Sequence, residues 1–185
     1  MAIKTFTTGE VLTASDTNTY LANSAMTYIT TLTASNTAVS AFVDGVFTST
    51  YQNYMIIGDW FTGGNATLSF RLRVGGSDDM TASYYDRGNQ NTTGAVAAIN
   101  NLAVTAGFFG ASTSSDYAHT QQTLFFPQIA SRRTAWNLQS VDSWNVQMYS
   151  ASGVDITTSQ FDGIKFISSS GNITGTFRFY GIRQA

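Results

Sequence analysis

Leu68-Ser69-Phe70-Arg71-Leu72-Arg73-Val74, followed at once by Gly75-Gly76, alternates apolar and polar side chains without a break. A helix would scatter Leu68, Phe70, Leu72 and Val74 around its circumference. A strand puts all four on one face and Ser69, Arg71 and Arg73 on the other, because successive Cβ atoms point to opposite sides. The segment predicts a half-buried β-strand ended by a glycine turn.

Working outward from it, Tyr54 to Ile57 is a short apolar run that predicts a strand buried on both faces, and Gly63-Gly64-Asn65 predicts a hairpin turn leading into the Leu68 strand. Toward the C-terminus, Ile164/Phe166 and Ile173/Phe177/Phe179 predict a second hairpin about Ser170-Gly171-Asn172. Weaker strand patterns lie near Met80 to Tyr85, Val96 to Val104, Thr123 to Phe126, Ala135 to Val141 and Val146 to Tyr149. Pro127, the sole proline, is expected to end or edge a strand, since it has no N–H for the ladder. Gly107-Phe108-Phe109-Gly110 reads as a strand end with a turn; no Lys follows its glycines, so it is no phosphate cradle. Some eight short strands with uneven loops and no blade-like repeat predict an all-β chain, a jelly-roll-like antiparallel β-sandwich.

The beginning of the chain follows another period. Thr13-Ala14-Ser15-Asp16 has the form of a helix start, and Leu21, Ala25, Tyr28 or Ile29, and Leu32 recur at helical spacing. These predict a short helix from about Ala14 to Ile29. The period turns to alternation near Val39, which predicts an N-terminal segment over 1–38 and a β knob over 39–185.

Composition agrees with that division. Of 185 residues, 43% are hydrophobic and 14% aromatic, enough for one core, while only 11% are charged, less than half the usual share. Glu10 is the only glutamate, and Lys4 and Lys165 are the only lysines. Thr, Ser, Asn and Gln fill the polar positions instead, which suits pleated surfaces and turns better than helix surfaces. A formal net charge of −2 lacks the basic footprint of nucleic-acid binding. No run approaches the ~20 apolar residues of a membrane span, and no secretory signal pattern is present at the start. With no cysteine and a single histidine, disulfides, thiolate chemistry and ordinary zinc sites are excluded.

Few residues remain for catalysis. His119 follows Ser114, Ser115 and Asp116, but sequence neighbours rarely build a triad, and no G-x-S-x-G elbow occurs. Asp78-Asp79 lacks the rest of a calcium loop and reads as a solvated turn. Arg132-Arg133 with Trp136 and Trp144 nearby could form a glycan-stacking surface; the alternative is that the tryptophans pack in the core or between subunits. The residues predict a non-enzymatic protein with no cofactor and no metal site. Many aromatics with sparse surface charge leave apolar area for self-association.

Phe6-Thr7-Thr8-Gly9-Glu10-Val11-Leu12-Thr13-Ala14-Ser15-Asp16-Thr17-Asn18-Thr19-Tyr20-Leu21-Ala22-Asn23 resembles the opening segment of many bacteriophage virion proteins. Phe161-Asp162-Gly163-Ile164, Ser169 through Gly175 and Tyr180-Gly181-Ile182 are similar to the last hairpin of the same group's β-rich knobs, and Tyr51-Gln52-Asn53-Tyr54 with Leu68 through Arg73 to their first core strands. The resemblance implies a virion structural protein, assembled in the bacterial host cytoplasm, attached through its N-terminal segment and tending to form a homotrimer. The absence of a long repetitive shaft favours a capsid-decorating or cement subunit; the alternative is a tail-fibre or tail-tip adhesin that binds host surface glycans. Phe6, Val11, Leu12, Tyr20 and Leu21 are the apolar anchors expected at the virion contact. The partners implied are further copies of this chain and other virion proteins, with no nucleic acid and no membrane.

Overall fold

A computed structural model describes residues 7–11, 13, 15, 26–92, 94–112, 116–143 and 145–182. Its core is a long antiparallel ribbon rolled up on itself. One side of the ribbon runs through β1 (Met26–Ser35), β2 (Ser40–Val43), β3 (Asn53–Thr62) and β4 (Ala66–Val74). The other returns through β8 (Gly107–Ser112), β9 (Ala118–Phe125), β12 (Gly163–Ser168) and β13 (Ile173–Ile182). Across the ribbon β1 pairs with β13, β2 with β12, β3 with β9 and β4 with β8. Rolling then brings β13 against β3 and β12 against β4. The result is two facing sheets, β1-β13-β3-β9 and β2-β12-β4-β8, the jelly-roll arrangement expected from the sequence.

Two insertions widen one sheet. Between β4 and β8 lie β5 (Ser77–Asp78), β6 (Tyr84–Thr92) and β7 (Ala95–Val104); between β9 and β12 lie β10 (Ala135–Asp142) and β11 (Gln147–Asp155). β10, β11, β6 and β7 add in that order beyond β9, so the first sheet has eight strands. This wing outreaches the opposing sheet. Its inner face is covered by a small satellite cluster of Phe108, Leu138, Tyr149 and Ala151.

The main core is aromatic. Leu68, Phe70 and Leu72 of β4 point inward as the alternation required, and meet Tyr54, Ile56 and Trp60 of β3, Ile164 and Phe166 of β12, and Ile173, Phe177 and Phe179 of β13. Phe166 stacks on Phe177 with centroids 4.1 Å apart, and Phe109 abuts Phe166 edge-on at 4.7 Å. Val74 departs from its expected face because it lies at the strand's end, where it is exposed, while Arg73 is buried instead. β3 is not buried on both faces. Tyr54, Ile56 and Trp60 are inside, and Met55, Ile57 and Asp59 stand half-exposed outside.

Three further expectations are corrected by the rolled topology. Gly63-Gly64-Asn65 and Ser170-Gly171-Asn172 are not hairpin turns: β3 and β4 lie in different sheets, as do β12 and β13. Each is a corner carrying the chain from one sheet to the other, and the two corners pack together, with Gly63 N–H donating to the Asn172 carbonyl at 3.1 Å. Gly171 sits at φ 72°, and a Cβ there would lie 2.8 Å from the Gly63 nitrogen, so only glycine fits. Gly107 to Gly110 belongs to β8, a buried strand, where a strand end with a turn was expected.

The third correction concerns the N-terminal helix. Met26–Ile29 begin β1, and Ser15 alone among the described residues has helical backbone; the rest of the expected span Ala14–Ile29 lies outside them. Among the described residues the sandwich therefore already includes Met26–Ser35, ahead of the expected boundary at 39. A β-bulge explains the false period. Tyr28 faces Tyr180 and Thr30 faces Phe179, leaving Ile29 as the extra residue. The residues of β1 that pack on the core, Ile29, Leu32 and Ala34, are thus spaced by three and then two, and the spacing of three imitates a helix.

Candidate functional site

Trp136 of β10 is only 2% exposed. It packs edge-on against Phe70 at 5.0 Å and beside Tyr84 at 6.0 Å, and its indole N–H donates to Asp86 Oδ1 at 2.8 Å. It cannot stack on a sugar: of the two readings its sequence allowed, packing in the core holds for Trp136 and the glycan-stacking role does not. Trp144 lies outside the described residues. Arg132 lays its guanidinium over the Phe126 ring at 4.6 Å.

Of the expected virion anchors, Phe6, Leu12, Tyr20 and Leu21 lie outside the described residues, and Val11 is 79% exposed. Just before it, Thr7 and Glu10 close a turn: the Glu10 N–H donates to the Thr7 carbonyl at 3.0 Å, the Thr7 N–H donates to Glu10 Oε2 at 3.1 Å, and Gly9 takes φ 90°. This box presents Val11 to solvent.

The ionisable groups that invited a catalytic or metal reading are engaged in structural contacts. His119, exposed on β9, bonds Asp59 Oδ1 through Nδ1 at 2.8 Å, and Arg178 donates to Asp59 Oδ2 at 2.7 Å. The histidine's acid is therefore Asp59 on the next strand, not Asp116. Hydrogen bonds from His119 and Arg178 hold the Asp59 carboxyl below the usual range. Asp78 is not a solvated turn residue; it accepts from Lys165 Nζ at 2.8 Å and from Arg73, whose Nε also donates to Asp44 at 2.7 Å. Burial alone would raise Asp78, but the bond and charge of Lys165, with Arg73, outweigh it and leave the carboxyl lowered. Among the described residues no cluster of three or more His, Asp or Glu is placed to hold a metal ion.

Two buried carboxyls behave in the opposite way. Burial lifts Asp86 above the usual range, against bonds from the Phe108 N–H, Trp136 and Asn101; burial likewise lifts Asp155, against bonds from Thr157. An acid with a raised folded pKa lets the unfolded chain ionise first, so stability is full below the ordinary carboxylate pKa and falls as pH rises through the folded one. Asp59 and Asp78 act in reverse, losing their contribution as pH falls. Asp155→Asn, which keeps an oxygen for Thr157 and removes the charge, is expected to flatten the loss of stability as pH rises above the ordinary carboxylate range. Urea unfolding of wild type and variant at about pH 4 and about pH 7 checks this; a stability difference between them that does not change with pH would contradict it.

The broadest organised surface is the outer face of the eight-stranded sheet. Gln121 and Thr123 of β9 stand beside Gln139 and Asn137 of β10, which stand beside Ser150 and Ser152 of β11. These six line a shallow depression of about 410 Å³. They carry no charge, and none makes a side-chain hydrogen bond among the described residues. The rows continue outward, Ser152 to Arg87 to Asn100 and Ser150 to Asn89 to Ala98, over a second depression of about 530 Å³ on β6 and β7. Sequence reading missed these residues, although their alternation within each strand was visible. At one end of the same face Val141 and Met148 stand in register, and Val96 follows beyond Asn91; the three are exposed by 40%, 53% and 71%.

Neither a protein-family model nor a curated protein matches this chain.

Proposed function

We propose that this chain is a non-enzymatic structural subunit of a bacteriophage particle, a capsid-decorating or cement knob that works as a homo-oligomer, a trimer, and is held through its N-terminal segment. The attachment reading is carried by the resemblance of Phe6 through Asn23 to virion openings, and it accords with a roll whose strands, among the described residues, run from Met26 to Ile182 and pair with one another. In such a subunit stability, exposure and copy number do the work, and weak single contacts add through avidity. The described ionisable groups suit that role, since Asp44, Asp59, Asp78 and Asp86 are all committed to holding strands together.

Removing residues 1–25 is expected to give a folded, soluble oligomer that no longer joins particles, read by sedimentation of particles assembled with the truncated chain. Undiminished incorporation would end the attachment reading. A second reading, a tail-fibre or tail-tip adhesin for host surface glycans, is favoured by one feature only, the uncharged amide and hydroxyl face over β9, β10 and β11.

A further inference from the structure

We infer that the outer face of the wing, from Gln121 on β9 to Asn100 on β7, binds an oligosaccharide that carries a carboxylate, with Arg87 as the group that selects it. The inference rests on the adhesin reading and adds the ligand's chemistry. Five strands side by side give a track roughly 19 Å long at the usual strand spacing, enough for several sugar rings. Its floor is unlike a site for an apolar small molecule, which would be lined mainly by hydrophobic side chains. Here the outward groups are carboxamides and hydroxyls, each able to both donate and accept, as hydroxyl groups on a sugar require. Serines at 150 and 152 keep the middle low, while Gln121, Gln139 and Asn137 rise on one flank and Arg87, Asn89 and Asn100 on the other.

Arg87 is what narrows the class. Its cross-strand neighbours are Ser152 and Asn100, neither of them an acid, and it has no ion-pair partner among the described residues. The other arginine on this face, Arg178, is already held by Asp59. An exposed guanidinium beside an uncharged trough offers a two-pronged donor to one planar carboxylate. A single cation is too little for a polyanion such as nucleic acid, whose binding needs many phosphate contacts. Uronic and sialic acid residues within otherwise neutral chains fit both parts.

The test uses the full-length protein on immobilised oligosaccharides, each carboxylate-bearing member paired with a counterpart whose carboxyl is reduced to the alcohol. We expect binding to carboxylate-bearing members, weakened about tenfold or more by reduction of the carboxyl or by Arg87→Gln, as loss of a charge-assisted hydrogen bond would do. Ser150→Tyr, which fills the floor, is expected to abolish binding, with thermal unfolding of both variants matching the wild type. Binding that ignores the carboxyl and Arg87→Gln but is lost in Ser150→Tyr would overturn the assignment of ligand and leave the adhesin reading standing. Binding that survives both substitutions would overturn the site alone, and absence of binding to every member would overturn the site and the adhesin reading together.

Discussion

Replacing Trp136 with alanine is expected to lower the free energy of unfolding by about 3–5 kcal/mol, in the range for deleting a large buried aromatic. The indole fills the space between Phe70 and Tyr84, and two glycines clear room for it. A Cβ on Gly153, its cross-strand partner on β11, would lie 2.5 Å from the ring, and one on Gly107 would lie 3.2 Å away. Alanine would leave that space empty where β10, β6 and β4 converge. It would also strip a donor from Asp86, whose carboxylate is already disfavoured by burial. Trp136→Phe separates the two effects: it restores most of the ring and not the N–H, so its cost should be the smaller one, about 1–3 kcal/mol for leaving a buried acceptor without its donor. Urea denaturation of both variants decides the matter. A loss under about 1 kcal/mol for the alanine variant would mean that the indole is not the keystone of this part of the core.

That Trp136 is a core residue could have been read from its own strand. Trp136, Leu138 and Ser140 alternate with Asn137, Gln139 and Val141, and the amides mark the wet side. The same local pattern made β4, β10 and β7 legible, and with them the all-β class. What local pattern cannot carry is the identity of a strand's partner. A Gly/Asn link between two apolar runs is the same signal for a hairpin and for a corner between sheets, and Gly63–Asn65 and Ser170–Asn172 are corners because their strands find partners far away in sequence. Likewise the bulge at Ile29 depends on pairing with β13, and without that partner its three-residue step reads as helix. The amide face was hidden for the same reason: Gln121, Gln139 and Ser150 become neighbours only once β9, β10 and β11 pair in register.

Lysines placed together at Val96 and Ala98 are expected to turn the assembled protein into a folded monomer at micromolar concentration. The reasoning begins with how the free strand edges differ. Natural sheets guard such edges by shortness, bulges, charge or proline, because unpaired N–H and C=O groups recruit further strands. β2 has four residues and β5 two; β1 is bent by the bulge at Ile29, and the β4·β8 ladder by one beside Leu68. β7 has ten residues, none charged and none proline; its ladder with β6 has a bulge too, but only at its far end between Asn101 and Val104, and from Ala95 to Asn101 it pairs regularly. Beside that edge the exposed Val96 is followed in register by Asn91 and then by the exposed Met148 and Val141, and Val146 is 69% exposed in the adjoining turn. An edge and patch of uncharged, mostly apolar side chains suit contact with further copies of this chain, whereas a basic or acidic partner would gain nothing there. Val96 and Ala98 both point outward and are exposed, so lysine at either position strains nothing within the subunit. In the assembly the same lysines would be buried without an acidic partner, a cost large enough to open the contact. Light scattering after size exclusion gives the mass, and Thr33→Lys, on the far edge strand β1, should leave it unchanged. A wild-type monomer, or a double variant that still assembles, would remove β7 from the interface.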